Sequence, residues 1–376
     1  MNPDITDPPT AHGEPLFSAI LKQQAADFRV DEVLDIEFSG SGEHLYLQIE
    51  KTAMNTDEVL SILQERYAVS SADVGLCGLK DRHSVSSQWF SVRTVNDSTV
   101  FEQWVHQFNH AQHAAWEASG GYVKSLRLQH SVRHARKLKR GAHRCNRFVI
   151  TLRNVKADKG HEHSLRTDVD NRISVIDAQG FPSYIGAQRF GYGAQNLQRA
   201  KQWFARPRKR CSRQQRSLWL SSARSAVFNT VCAARVRGGS WQCLLEGEPA
   251  VLDGSRSFFT TGDKACDQTT DGPSLDDRLR DFDIHPSAPW WGRGRSPATA
   301  ECAEFEAVHL QPLAGLCEGM ERAGLAQERR ALRARANLLT HQWVADDALE
   351  LAFSLNPGVF ATTLLRELTS VAEPQR

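Results

Sequence analysis

Polar and apolar residues alternate from Asp27 to Glu37 (Asp-Phe-Arg-Val-Asp-Glu-Val-Leu-Asp-Ile-Glu), which predicts a strand. After the Ser39-Gly-Ser-Gly42 turn, Leu45-Tyr-Leu-Gln-Ile-Glu50 alternates again, so the two segments read as a hairpin. Val59, Leu60, Ile62, Leu63 and Tyr67 have helical spacing behind Thr56-Asp-Glu, a plausible helix start. Val74–Leu79 and Gln88–Val92 read as short strands flanking a polar turn. Residues 98–118 predict a helix, and Phe148–Leu152 a β-branched strand. Helical patterns cover 164–178, 195–205 and 214–237. The stretch 247–299 has few periodic segments, helical spacing returns over 304–338, and Asp347–Leu355 alternates as a strand before a short helix. Strands at both ends of a helical, loop-rich middle predict one α/β lobe interrupted in sequence by a second.

At 376 residues the chain exceeds one average domain, consistent with two lobes. No apolar run approaches the ~20 residues that cross a bilayer, which excludes an integral helical membrane protein. The polar start, MNPDITDPPTAHGEP, lacks a signal-peptide profile. Residues 1–16 read as a flexible arm. The eight cysteines form no C-x-x-C pair, which argues against a zinc ribbon and a disulfide framework. A cytoplasmic, reduced setting is expected.

The net charge of +2 hides a segregation. Residues 120–216 carry 23 Lys and Arg against 5 Asp and Glu, whereas 241–306 carry 6 against 13. The basic residues cluster in Arg133–Arg140 with Arg144 and Arg147, and in Arg206–Arg210 with Arg213 and Arg216. Such concentration suits a phosphate-backbone ligand, and the interleaved Phe148, Trp203, Phe204 and Trp219 suit stacking on unpaired bases. A solvated basic loop is the bland alternative. Reversing the charge of Arg206–Arg210 is expected to weaken RNA binding and flatten its salt dependence.

The chemistry-bearing segment is Val74-Gly-Leu-Cys-Gly-Leu-Lys-Asp-Arg-His-Ser-Val-Ser-Ser-Gln-Trp-Phe-Ser-Val92. A strand–turn–strand can project Asp81 into a cleft, and Lys80 and Arg82 beside it favour the ionised form that a nucleophile needs. The competing reading is a polar turn that Asp81 merely shapes. His106, His110 and His113 have helical spacing but no Cys or acidic partner at ligand spacing, so no metal is expected there. Cys77 reads as a small buried residue. No phosphate-cradling glycine motif occurs.

This segment resembles the motif of the TruD family of tRNA pseudouridine synthases, in which a Gly-x-Lys-Asp-Arg/Lys-His-Ala turn carries the catalytic aspartate. The resemblance extends over most of the chain. Lys22 and Asp27-Phe28-x-Val30-x-Glu32 are similar to an N-terminal family block, followed by Gly42-Glu-His44 and Lys51 with Asn55-Thr56. Arg136-Lys-Leu138 with Gly141 and Asn146-x-Phe148 are similar to another block, and Pro182–Gly191 is close to the Pro-Asn-Tyr-Phe-Gly-Ala-Gln-Arg-Phe-Gly signature. Trp219–Asn229 and Pro357–Leu368 match two later blocks. Ser84 stands where the family usually has Ala, and Ser183 replaces Asn.

The resemblance implies isomerisation of uridine to pseudouridine in tRNA, typically at position 13, without metal or organic cofactor and without a protein partner. Asp81 would be the nucleophile, attacking ribose C1′ or uracil C6; Lys22 and Lys80 would neutralise and anchor it. Phe28, Asn146 and Phe360 would line the uridine pocket, with Phe148 stacking on the base. Arg136, Lys137, Arg140, Arg208, Lys209 and Arg210 would bind RNA, and Arg189 would meet a phosphate or an internal carboxylate. The implied fold is α/β (α+β): a catalytic domain with a mixed, mainly antiparallel sheet from residues 17–180 and 340–376, and an inserted α/β domain at 181–339. A basic cleft between them would grip the tRNA. A catalytically silent tRNA-binding protein or RNA chaperone is the main rival. A nucleosidase is disfavoured because no partner acid flanks Asp81.

Overall fold

A computed structural model describes residues 5–119, 123–206, 210–262 and 273–374. They fall into two compact units, a sheet unit within 17–160, 337–357 and 370–376, and a second unit within 1–16, 161–336 and 358–369.

The sheet unit is built on ten strands. The main path runs β15(Asn337–Ala345), β16(Ala348–Leu355), β7(His143–Ala157), β2(Phe28–Leu34), β5(Val85–Arg93), β3(His44–Thr52), β6(Ser125–His134). Off it, β4(Val74–Leu76) pairs with β5, and β1(Phe17–Ile20) with β7 and β17(Thr369–Ala372). Only β2–β5 is parallel; every other pair in this sheet that has a register is antiparallel. The expected mixed, mainly antiparallel sheet is therefore present, but the expected hairpin is not. β2 does not pair with β3; it lies between β7 and β5, and β3 lies beyond β5. Alternation fixes which face each strand buries, whereas the long β7 offers β2 a closer partner than its neighbour in sequence does.

The helix α1(Thr56–Tyr67) begins with a reciprocal cap: Glu58 N–H donates to Asn55 Oδ1 (2.8 Å), and Asn55 N–H to Glu58 Oε1 (3.1 Å). Asn55 thus takes the capping role, which frees Thr56 for the site. With α2(Thr99–Ser119), α1 covers one face of the sheet through Val59, Leu63, Phe101 and Val105 on Leu47, Ile49 and Phe90.

In the second unit, α4(Gln195–Ala205) and the 25-residue α5(Arg213–Arg237) pack with α7(Ala300–Leu310) and α8(Ala314–Arg322), around Phe190, Leu197, Val227, Phe228 and Met320. α3(Leu165–Gln179), α6(Leu275–Arg280) and α9(Ala361–Arg366) complete its α-helices among the described residues, with short two- and three-stranded sheets beside them in sequence. The helical spacing over 304–338 holds only to Arg322; Gly324 turns with φ +83°, and Glu328–Ala331 and Arg333–Ala334 are strands.

Packing divides the chain differently from the expected boundaries. α3 and residues 358–369 belong to the second unit, because Arg172 of α3 donates to the carbonyls of Glu14 and Glu367. Residues 5–16 are no free arm. Ile5 is buried in the core, and its carbonyl accepts from Asn229, which also brackets Ile185.

Glu367 ties this segment down: one carboxylate oxygen accepts from the N–H groups of Ala11 (2.9 Å) and His12 (3.0 Å). Burial pushes its acid up to about 7, against those hydrogen bonds and Arg172. The folded form therefore holds a proton that the unfolded chain loses near pH 4.5, so this group removes stability as pH rises from about 4.5 to 7, by about 3 kcal/mol in all. Glu367→Gln mimics the protonated acid and should flatten that fall, as read by urea denaturation at pH 5 and pH 7.5. An unaltered pH slope would show that Glu367 does not titrate in this window.

Candidate active site

The sheet unit places the proposed nucleophile at its surface. Asp81 lies in the segment between β4 and β5 and is exposed, with its side chain 59% accessible. Its backbone is clamped. Lys51 Nζ donates to the carbonyls of Met54 (2.6 Å) and Asp81 (2.8 Å), and Ser84 Oγ donates to the same Asp81 oxygen (2.8 Å). One residue earlier, Lys80 N–H donates to Thr56 Oγ1, whose own hydroxyl donates to buried Gln88. The turn is thus held by its main chain, leaving the carboxylate free to face a ligand. Burial pushes the Lys51 ammonium down to about 8, partly offset by the Asp81 carboxylate.

Lys22 meets the aspartate as expected, with Nζ 3.0 Å from Asp81 Oδ2. It sits in a left-handed conformation (φ 58°) just after β1, and its largely buried ammonium lies 4.6 Å from the centre of the Phe28 ring. It also reaches Glu373 Oε1 at 3.2 Å, a second carboxylate that no local pattern in the sequence announced.

Lys80 departs from expectation. Its ammonium lies 2.6 Å from Glu32 Oε2 and it makes no ion pair with Asp81. Lys80 is turned inward, with its side chain 7% accessible, while the Asp81 side chain faces out. Glu32 is fully buried, and its other oxygen accepts from Trp89 N–H at 3.1 Å.

Register explains why Phe28, Glu32, Asn146 and Phe148 share one sheet face. Across β2–β7, Phe28 opposes Ile150, Val30 opposes Phe148 and Glu32 opposes Asn146. Phe28 and Phe148 meet edge to face at 6.1 Å, and Phe148 stacks on Phe353 at 5.3 Å. Asn146 Nδ2 donates to His143 Nε2 (3.2 Å), while its Oδ1 is buried without a partner among the described residues. A buried, unsatisfied acceptor on the sheet face that carries these rings can accept from a planar ligand with an N–H donor.

Phe360 belongs to the second unit, at the start of α9, with the Arg189 guanidinium 5.9 Å from its ring centre. Arg189 has no acidic partner among the described residues, and burial lowers its pKa. Ser183 is buried and accepts from Arg330.

The basic run 136–140 is bound to the segment that carries Asp81. Tyr46 hydroxyl donates to the Arg136 carbonyl (3.0 Å), Leu138 N–H to Ser91 Oγ (2.9 Å), and Gly141 N–H to the Cys77 carbonyl (2.9 Å). Lys137 is spent on the Ala72 carbonyl, whereas Arg136 and Arg140 are exposed. Gly75 is required here, because a Cβ would stand 2.4 Å from the Leu138 oxygen. Arg210 is exposed; Arg208 and Lys209 lie outside the described residues. Glu32, Lys51 and Ser84 were visible in the sequence as parts of motifs, without a role.

The family model for tRNA pseudouridine synthase D (TruD) matches residues 11–199 and 193–368. The chain is 40% identical to a tRNA pseudouridine synthase D of Pseudomonas putida, over 96% of this chain and 94% of the relative. It is 41% identical to one of Methylococcus capsulatus, over 99% and 97%. A crystal structure of a protein named tRNA pseudouridine synthase D (TruD) from Methanosarcina mazei superposes with a TM-score of 0.62 at 17% identity, covering 96% of this chain and 94% of that one, a likeness of fold.

Proposed function

Because the chain belongs to the tRNA pseudouridine synthase D (TruD) family, we propose that it isomerises a uridine of tRNA to pseudouridine, with uridine-13 of the D-arm as target and Asp81 as nucleophile. The observation that carries the site assignment is the exposed Asp81 carboxylate, 3.0 Å from the Lys22 ammonium, on the unit that also presents Phe28, Phe148 and the unpartnered Asn146 Oδ1.

In this reading the uridine leaves its stack, at about a few kcal/mol, and rests against Phe148 with Asn146 Oδ1 accepting from uracil N3–H. Asp81 attacks C1′ or C6, and the bond it forms breaks again before product leaves, which regenerates the carboxylate. The C1′–N1 bond breaks, the base turns, C1′–C5 forms, the C5 hydrogen leaves as a proton and N1 gains one. Lys22 pairs with the Asp81 carboxylate and lies over Phe28. Lys80 is a positioning residue, fixing the turn through Glu32. The sheet unit is the catalytic domain and 181–336 the core of the inserted one. The rearrangement calls for no cofactor and no protein partner, and a tRNA substrate supports a cytoplasmic setting.

Tritium release from tRNA labelled at uridine C5 tests the reaction, since loss of that hydrogen is obligatory. No release from any tRNA, with binding retained, would replace the isomerase with an RNA-binding protein. The exposed Arg136 and Arg140 contact phosphate in this reading. Arg136→Ala/Arg140→Ala should weaken tRNA binding and lower the log–log salt slope by about 2. An unchanged slope would remove them from the interface.

A further inference from the structure

Behind the Asp81 turn, Glu32, Cys77 and His143 bring a carboxylate oxygen, a thiol sulfur and an imidazole nitrogen within 4.8 Å of one another. Glu32 comes from β2, Cys77 directly follows β4, and His143 opens β7, so three segments distant in sequence converge here. Glu32 and Cys77 are buried and His143 is half-buried. Four-coordinate zinc, with bonds of about 2.0–2.3 Å, needs its ligands about 3.4–3.8 Å apart, a small contraction of this triangle. We propose that these three side chains form an inhibitory site for a thiophilic divalent cation such as Zn²⁺, with a water as fourth ligand.

The polar atoms around the triangle support this. In the ion-free arrangement Asn146 Nδ2 donates to His143 Nε2, so the imidazole proton sits on Nδ1. That Nδ1 is buried and unpartnered among the described residues, and so is Asn146 Oδ1. A cation on Nδ1 gives that buried nitrogen the partner it lacks. The imidazole proton moves to Nε2, the Asn146 amide turns over, and Nε2–H donates to Asn146 Oδ1, the second-shell bond that orients a metal-binding histidine. The thiol loses its proton to solvent on binding. A positive charge is already held at the triangle's carboxylate corner, where the Lys80 ammonium lies 2.6 Å from Glu32 Oε2; the cation takes its place.

Two consequences reach the reaction, and they rest on the function proposed above. Lys80 loses the anchor that fixes the residue before Asp81, and Asn146 Oδ1 is withdrawn from the uracil. Bound cation therefore inhibits, while the ion-free enzyme turns over.

The test uses the full chain freed of metal by a chelator. Cd²⁺ is added while the ultraviolet thiolate-to-metal charge-transfer band is followed, and Zn²⁺ affinity is measured by competition with a chromophoric chelator. The wild type should take up one equivalent that Cys77→Ala and His143→Gln either lose or bind at least about tenfold more weakly. Should Cys77→Ala fail to fold, His143→Gln decides alone. Cys77→Ala should keep wild-type tritium release in chelator and resist Zn²⁺ at concentrations that inhibit the wild type. Equal metal uptake and affinity in all three proteins would overturn the site, as would equal Zn²⁺ inhibition of wild type and Cys77→Ala. The metal titration needs no tRNA, so it decides the site even if no isomerase activity is found.

Discussion

Asp81→Asn is expected to bind tRNA as the wild type does and to release tritium from C5-labelled tRNA at least about 10³-fold more slowly, a loss of about 4 kcal/mol of transition-state stabilisation. The substitution is nearly isosteric, and the turn does not depend on the carboxylate. Lys51 and Ser84 hold the main-chain oxygen of residue 81, and Thr56 holds the N–H of residue 80. Lys22 keeps Glu373 as an ionic partner, so no buried ammonium is stranded. What disappears is the anionic oxygen that forms the bond, since an amide is a poor nucleophile. Single-turnover kinetics, with tRNA affinity from filter binding, separate the two effects. Equal release by both proteins would remove Asp81 from the chemistry, and a matching loss of affinity would make it a binding residue instead.

The features legible in the sequence were local ones. Alternation at 27–37 and 45–50, helical spacing at 56–67 and 214–237, and the Gly-Leu-Lys-Asp segment each depend on residues a few positions apart, and each lies in its expected element except that the first strand runs only from Phe28 to Leu34. The motif residues Lys22, Phe28, Asn146 and Phe148 all fall in the unit that carries Asp81. Partnership was not legible. A strand's pattern specifies its buried face and leaves its neighbour open, so the place of β2 between β7 and β5 depends on β7, more than a hundred residues away. The same limit hid the partner of Lys80. Adjacency made Asp81 the obvious acid, but the Lys80 side chain is buried and that of Asp81 exposed, and a strand residue 48 positions earlier supplies the carboxylate. Glu373 carries no pattern at all and reaches Lys22 because the chain end returns along β1, where Leu21 N–H donates to Ala372. Phe360 lay within a recognisable block, but the block joins the second unit because that is where its helix packs.

Glu32→Gln should cost about 3–5 kcal/mol of stability, the typical effect of removing one partner from a buried ion pair. The Glu32 side chain has no accessible surface and that of Lys80 only 7%, so the stranded ammonium has almost no route to water. The amide retains an oxygen for Trp89 N–H, which confines the loss to the charge. Lys80→Met in the Glu32→Gln background removes that stranded charge and should recover more than half of the stability, because replacing both members of a buried pair is commonly near neutral. Turnover should not recover with it, since nothing then ties residue 80 to β2 and the aspartate turn is held by Lys51, Ser84 and Thr56 alone. A double-mutant cycle in denaturant, with kcat and KM measured for each protein, reads both quantities. A coupling below about 1 kcal/mol would show that the pair behaves as a solvated one. A double variant that regains both stability and kcat would show that Lys80 serves only the fold.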